Sequence, residues 1–510
     1  MKRIFLLLAI VALLGIQALP AQAEKGIASG FVKWFQDNMG LEIGSVTIGG
    51  VGYSKAVLAP EVRIGRLKMG LYFPVIYKDD LFNPATWYRP GGNNEWNFGA
   101  DYWATDIPKA ALDLVSDVVL KFKYLEYGRQ LEDPFFFKVG NLHDLTVGHG
   151  LIMRGYRNDT DFPGIRRTGV NLGLEVKPIG LELLASDLPV PEIVGARLYF
   201  MPFKKSRLAF GVSAVADLAA AKELEGQAGW DAAVGNVVLG GAGVDVDVPI
   251  VPRSALLGLR AYAGAAVNTA FVTADFTSPL AGGKTITSQD TMDILWNGLP
   301  RNWGAAAGLA GNVAFIDWRL EYRYYTGVFR SSFFDSTYER SRSQLVQKYM
   351  TYLDDPTSLS DAATVMGVYG EAGFSILKEK LTLVAGYMWP WSLSSGGPAL
   401  LNAEDELHLA LVIKKGLIPV VDLHGAIYYD KWGLVSSIAD GSFEFFDSRT
   451  ALAGEVVFPV PGSPNLGVAA IFKAIVARNA DGSVIYVDPS DISKGVKIIP
   501  AITIETRISF

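Results

Sequence analysis

The C-terminal segment alternates without a break, and this pattern limits the folds open to the chain. Ile502, Ile504, Thr506, Ile508 and Phe510 fall on one face of an extended backbone, and Thr503, Glu505, Arg507 and Ser509 on the other. Successive side chains of a strand point to opposite faces, so a period of two marks a strand with one apolar and one polar side. The pattern recurs. Leu407, Leu409, Leu411 and Ile413 stand opposite Glu406, His408 and Lys414. Trp318, Leu320, Tyr322 and Tyr324 stand opposite Arg319, Glu321 and Arg323. Thr168, Val170, Leu172 and Leu174 face away from Arg167, Asn171 and Glu175, and Val118, Leu120, Phe122 and Tyr124 away from Lys121 and Lys123. Half of the 510 residues are hydrophobic, yet beyond the N-terminus no apolar run approaches the ~20 residues of a spanning helix. In hydrocarbon only helices and closed barrels satisfy every backbone polar group, so the membrane option left is a barrel.

Alternation also occurs in soluble sheets, and the loop lengths separate the two cases. Reading back from the C-terminus, residues 477–495, 431–443, 392–403, 327–364, 268–302, 218–241, 157–165 and 77–117 form long connections. Between them lie short ones at 459–464, 415–417, 378–380, 312–314, 251–254, 202–205, 177–178 and 130–134, with 188–191 tight where a long loop is due. Transmembrane barrels alternate short turns and long loops in this way. The expected fold is therefore all-β: a transmembrane antiparallel up-and-down β-barrel of about eighteen strands, within a range of about 16–20, even in number. The barrel domain is expected over 61–510. Residues 24–60, with an amphipathic helix near 28–39 and a Gly-rich extended piece over 41–53, read as a periplasmic segment or small lumenal plug. Phe135 to Tyr156 is long for one strand and holds four glycines, which points to a bulge or inward kink. The alternation shifts between Arg63 and Arg66, which suggests another bulge.

The first 23 residues read as a secretion signal: Lys2 and Arg3, an apolar stretch from Ile4 to Ile16, then Ala21-Gln22-Ala23, with cleavage expected before Glu24. Removing two cations takes the net charge from −6 to −8, and there is no basic tract, so nucleic acid is not an expected partner. The absence of cysteine excludes disulfides, thiolate metal sites and Cys nucleophiles. Neither a Gly-x-Ser-x-Gly elbow nor a His-Glu-x-x-His pair occurs. His143, beside Asp144, reads as satisfying a turn, and so does Asn479-Ala480-Asp481-Gly482, which lacks the later acidic ligand of a calcium loop. No enzyme activity, cofactor or metal is expected.

A terminal Phe510 on the apolar face resembles the C-terminal signature of bacterial outer-membrane barrels, which implies the barrel-assembly machinery as a partner and the outer membrane of a diderm bacterium as the location. In architecture the chain resembles porins. Outer-membrane lipid and a small-molecule solute are then the expected partners, and assembly as a homo-oligomer is compatible with the reading. The inward faces carry Lys121, Lys123, Arg167, Glu175, Arg260, Arg319, Glu321, Arg323, Glu406 and Arg507, with basic residues in excess. Ionisable side chains at membrane depth need water or partners, and charge in a pore sets its selectivity. Arg154, Arg157, Arg166 and Arg167 cluster with Gly148, Gly150 and Gly155 around a tight loop. Folded inward, that loop would put Arg154, Arg157 and Arg166 at a constriction. The leading expectation is a channel for diffusion or facilitated uptake of small polar solutes, with a mild preference for anionic ones, and with charged wall ladders as the alternative role for any one residue. Two other functions are weighed. Asn83-Pro84-Ala85 is similar to the Asn-Pro-Ala motif of the fatty-acid channel family, which would imply transport of hydrophobic compounds. The large loops 268–302 and 327–364, with a helix expected over 340–352, would suit a surface-exposed adhesion or structural barrel.

Overall fold

The computed structural model describes residues 40–89, 95–128, 133–162, 165–203, 208–280, 283–296, 302–355, 364–377, 380–394, 397–400, 405–418, 422–439, 441, 443–463, 465–479 and 481–509. The alternating segments form strands, each antiparallel to its neighbour. They are β1 (Gly40–Ile48), β2 (Val51–Leu58, resuming at Glu61–Ile64), β3 (Leu67–Leu71, resuming at Phe73–Tyr77), β4 (Phe122–Tyr127), β5 (Phe135–Gly140), β6 (Gly169–Val176) and β7 (Ile179–Ala185). Then come β8 (Ile193–Phe200), β9 (Ala209–Asp217), β10 (Val237–Val251), β11 (Leu257–Val272), β12 (Trp303–Val313), β13 (Ile316–Tyr325) and β14 (Val365–Ile376). The last six are β15 (Leu381–Ser394), β16 (Glu406–Ile413), β17 (His424–Trp432), β18 (Thr450–Pro459), β19 (Leu466–Val476) and β20 (Ile498–Ser509). β1 pairs with β2 on one side and with β20 on the other, from Gly40 opposite Ser509 to Ile48 opposite Ala501. The chain of pairings thus returns to its start, with Glu61–Ile64 and Phe73–Tyr77 each paired on one side.

Twenty staves are two more than the central expectation, and both extra ones come from residues placed ahead of the barrel. The stretch 41–53 contributes β1 and the start of β2, so the barrel sheet begins at Gly40, not at residue 61. Its weak alternation (Gly40, Gly44, Ser45, Thr47, Gly49, Gly50) hid it. The bulge expected between Arg63 and Arg66 is instead the turn joining β2 to β3, made by Gly65 at a φ of +61°. The alternation from Val118 to Phe122 does not mark a strand throughout: Ile107–Val119 is a helix, α1, and β4 begins only at Phe122. The turn expected at 415–417 is broader, from 414 to 423. The secretion signal, the helix near 28–39 and Phe510 lie outside the described residues.

An even stave count puts Gly40 and Ser509 at one end of the ring. The connections there are short; the opposite end carries the long ones, including 78–121, 141–168, 218–236, 273–302 and 326–364. On β13 Leu320 and Tyr322 are 52% and 48% exposed, while Glu321 and Arg323 between them are 2% and 0% exposed. The apolar side therefore faces outward and the charged side inward, as the alternation requires. Leu198, Phe210, Val212, Val244, Ile427 and Ile504 continue the exposed apolar belt around the ring. A belt this extensive is far beyond the patches that monomeric proteins leave to water. Near the short-turn end, Tyr127, Phe135 and Phe137 stand with ring centroids 5.9 to 6.0 Å apart, an aromatic grouping of the kind found at bilayer interfaces.

The main apolar core lies inside the ring, at the long-loop end. Ile152, Met153 and Tyr156 of the 141–168 connection meet Phe333, Phe334 and Tyr338 of the 326–364 connection, together with Leu224, Ile294 and Ile492 from three further loops. Three more helices, α2 (Ser288–Trp296), α3 (Tyr338–Asp354) and α4 (Leu434–Ala439), belong to these connections.

Candidate functional site

β5 ends at Gly140, and residues 141–168 turn into the lumen, where Leu145 bridges to Tyr156 and Met153 to Phe334. Glycines at positive φ, Gly148 (+59°), Gly150 (+88°) and Gly155 (+63°), make the reversals that a side chain would strain. This is the inward kink expected from the sequence, and it brings the predicted arginines inside the ring. Each is held. Arg154 donates to Glu321 (2.7 Å) and to the carbonyl of His149 (2.6 Å), with its guanidinium 4.8 Å from the Tyr369 ring. Arg157 stacks over Tyr428 at 3.9 Å. Arg166 pairs with Glu95, and Arg167 with Glu339. Further along the same loop, Asp159 lies 3.7 Å from Lys473, and Asp161 lies 3.5 Å from Arg340 and 3.6 Å from Arg478. The loop is thus tied to the wall from β13 round to β19.

α3 enters the ring from the 326–364 connection, slightly longer than the helix expected over 340–352. Its first turns carry Arg340 and Arg342, both fully buried. Arg340 donates to the carbonyls of Thr160, Thr450 and Ala474. Arg342 makes two 3.0 Å bonds to Glu192 and lies 2.9 Å from Asp217, which also accepts from the Tyr338 hydroxyl at 2.7 Å. Burial pushes the Glu192 carboxyl up, but Arg342, Arg167 and Lys222 outweigh it and hold it below the usual range. The helix and the 141–168 loop together fill the long-loop end of the lumen.

Arg319, Glu321 and Arg323 lie on the charged side of β13, with Glu321 and Arg323 buried. Arg319, Glu321 and Arg323 form a ladder with Arg154: Glu321 accepts from Arg319 (3.2 Å), Arg323 (2.8 Å) and the Tyr262 hydroxyl (2.8 Å). Glu406 lies 3.6 Å from Arg323, Arg260 3.3 Å from Asp247, and Glu175 3.3 Å from the Tyr199 hydroxyl. Lys121 lies not on a stave but just after α1, where it pairs with Glu95 at 2.9 Å. His143 is 3.4 Å from Asp159, and Asn83 caps the short turn Pro84–Thr86 in the 78–121 loop. Asp481 takes hydrogen bonds from Ser483, closing the turn there.

Against the inner wall of β1–β4 and β18–β20 lies a cavity of about 310 Å³, at the lower end of the ~300–1,000 Å³ usual for small-molecule sites. Six cations line it (Lys55, Lys123, Arg166, Arg167, Lys473, Arg507) against four acids (Glu42, Asp159, Glu455, Glu505). Lys55 reaches both Glu42 (3.1 Å) and Glu505 (2.5 Å), and Arg507 grips Glu455 through two bonds of 2.7 and 2.8 Å. Lys123 makes no ion pair or hydrogen bond through its ammonium among the described residues. Of the ten charges, the alternation and the Gly-rich loop point to Lys123, Arg166, Arg167, Glu505 and Arg507. Lys55, Glu42 and Lys473 sit on small-residue staves whose alternation is faint. Among the described residues no group of acids and histidines is arranged to hold a metal.

No family model matches the chain, and no curated protein matches it. Solved structures similar to it include OccK2 of Pseudomonas aeruginosa in complex with glucuronate, at 9% identity and a TM-score of 0.31, covering 93% of this chain and 96% of that one. OccAB1 of Acinetobacter baumannii is 9% identical with a TM-score of 0.29, covering 93% and 97%. CdiB of Acinetobacter baumannii is 7% identical with a TM-score of 0.25, and the chain spans 60% of its length.

Proposed function

We propose that this protein is an outer-membrane channel through which small polar, anionic solutes pass, guided by a basic chamber behind an inward plug. The apolar outer belt fits a bilayer and the charged inner wall a wet lumen. Export by the N-terminal signal, cleaved before Glu24, and insertion through a C-terminal strand ending in Phe510 belong to the same reading. The observation that carries the solute class is the chamber: cations outnumber acids, and the Lys123 ammonium lines it with no ion pair or hydrogen bond among the described residues. Charged lining disfavours hydrophobic cargo. Because loops fill the lumen's long-loop end, a solute-guided path fits better than a wide open pore.

Conductance of the purified protein in a planar bilayer tests this. Small discrete steps with an anion-selective reversal potential are expected, and Lys123→Glu should move that potential toward cations. Cation preference in the unaltered protein, or an anion preference untouched by Lys123→Glu, would overturn the chamber's role.

A further inference from the structure

α1 is built inside out. Four of its large apolar side chains, Ile107, Leu112, Val115 and Val118, are exposed at 65%, 47%, 50% and 46%, with Lys109 the exposed charge, while Ala110 and Asp117 on the opposite side are fully buried. The helix starts conventionally, with Asp106 accepting from the Lys109 amide and a proline in its first turn. Its polar side turns inward because the 98–99 reversal needs acceptors. Phe98 and Gly99 adopt φ of +50° and +78°, and their amides donate to Asp117 (2.6 Å) and Asp113 (3.1 Å). What is left facing outward is a stripe at positions 107, 111, 112, 115 and 118, the spacing of one helical face.

A surface helix of a water-soluble protein shows the reverse pattern, so this stripe has a partner. The helix lies at the long-loop rim and hands over, through Leu120 and Lys121, to β4. The Thr168 hydroxyl bonds the Val119 carbonyl (3.4 Å), and the Thr168 carbonyl accepts from Leu188 (2.8 Å), whose side chain is exposed together with that of Val190. The C-terminal end of the stripe, at Val118, thus lies beside the exposed apolar residues Leu188 and Val190 of the 186–192 connection that joins β7 to β8. We propose that α1 lies against the outer leaflet with its stripe among the acyl chains, a helical collar attached to the barrel wall. Such helices sink ~5–10 Å into the headgroup and acyl boundary. The inference rests on the barrel's being in a membrane, and the test separates the two.

The chain has no cysteine, so single labels are clean. Leu112→Cys and Val115→Cys would carry an environment-sensitive fluorophore in protein reconstituted into phosphatidylcholine vesicles. Leu320→Cys on the outer face of β13 serves as the lipid control and Glu225→Cys, on an exposed long-loop site, as the water control. Folding of each variant is checked by heat-modifiable migration on gels. Both α1 labels should be quenched by spin-labelled lipid as strongly as the Leu320 label and spared by aqueous iodide. Iodide quenching at 112 and 115, with the Leu320 label still in lipid, would overturn the collar and leave the barrel reading standing. Shielding from both quenchers, with Val115→Cys crosslinking between copies, would overturn it in favour of a subunit interface. A Leu320 label open to iodide would sink the membrane reading itself, and the collar with it.

Discussion

Glu321 is shared by three guanidinium groups, those of Arg154, Arg319 and Arg323, and it is 2% exposed. Removing a buried counter-charge is far more costly than removing one of several partners, because the charges left behind stay unsolvated. Glu321→Gln should therefore cost about 3–5 kcal/mol and release Arg154, one of the bonds that fasten the 141–168 loop to β13 beside that of Arg319 to the His149 carbonyl (3.0 Å). The expected signature is a lower temperature for loss of the folded gel band, together with larger or more frequent conductance steps. An unchanged melting temperature would show that the ladder is solvated and structurally idle. The ladder's inward direction was legible from the alternation of Trp318 to Tyr324. Its partner was not, because Arg154 is distant in sequence and only the three nearby glycines hinted that its loop turns inward. Arg340 and Arg342 gave even less signal, since two arginines two apart on a helix look like a solvated face.

α1 teaches the complementary lesson for an element. Asp106, with Pro108 two residues later, and the apolar set Ile107, Ala111, Val115, Val118 mark a helix start and a helical face. The end of that face overlaps a period-two string from Val118 to Tyr124, and the strand pattern prevails in a chain otherwise made of strands. The inverted polarity has a consequence in pH. Burial pushes the Asp117 carboxyl up to about 7, Asp113 and Glu95 add to the shift, and the Phe98 amide and Lys121 oppose it. A carboxyl raised above its ordinary value of 3.8 stabilises the fold in its neutral form. That contribution is complete below about pH 4 and is lost as pH rises through about 7. The 95–121 unit should therefore open more readily at pH 8 than at pH 5. Amide exchange at Phe98, corrected for its intrinsic rate, would read this as weaker protection at the higher pH. Asp117→Asn keeps an acceptor for that amide without the charge and should hold protection level between the two. A pH dependence that survives in Asp117→Asn would place its source elsewhere.

For the whole molecule, the decisive structural claim is where the ring closes. Alternation and loop lengths made the up-and-down order legible from β3 to β20, because each of those staves carries either a charged inner face or a clear turn. The first hairpin escaped, since glycines and small hydroxyl residues in 40–54 blur its two faces, and a chain read as starting its barrel at residue 61 would close on a different stave. The two closures are chemically distinguishable. In the observed register Ile43 stands opposite Thr506, and opposed residues of an antiparallel pair have Cα atoms about 4.5–5.5 Å apart, within the span a disulfide bridges. In this cysteine-free chain, Ile43→Cys combined with Thr506→Cys should oxidise to a bridge between the first and last staves. It would convert the chain from position 43 to 506 into a loop. On a non-reducing gel the heated, oxidised variant should run as a more compact species than its reduced form. Ile43→Cys combined with Ile502→Cys, four residues out of register, should not. Efficient bridging to position 502 rather than 506, or to neither, would mean that residues 40–48 do not seal the barrel, and the closure would have to be assigned to β3.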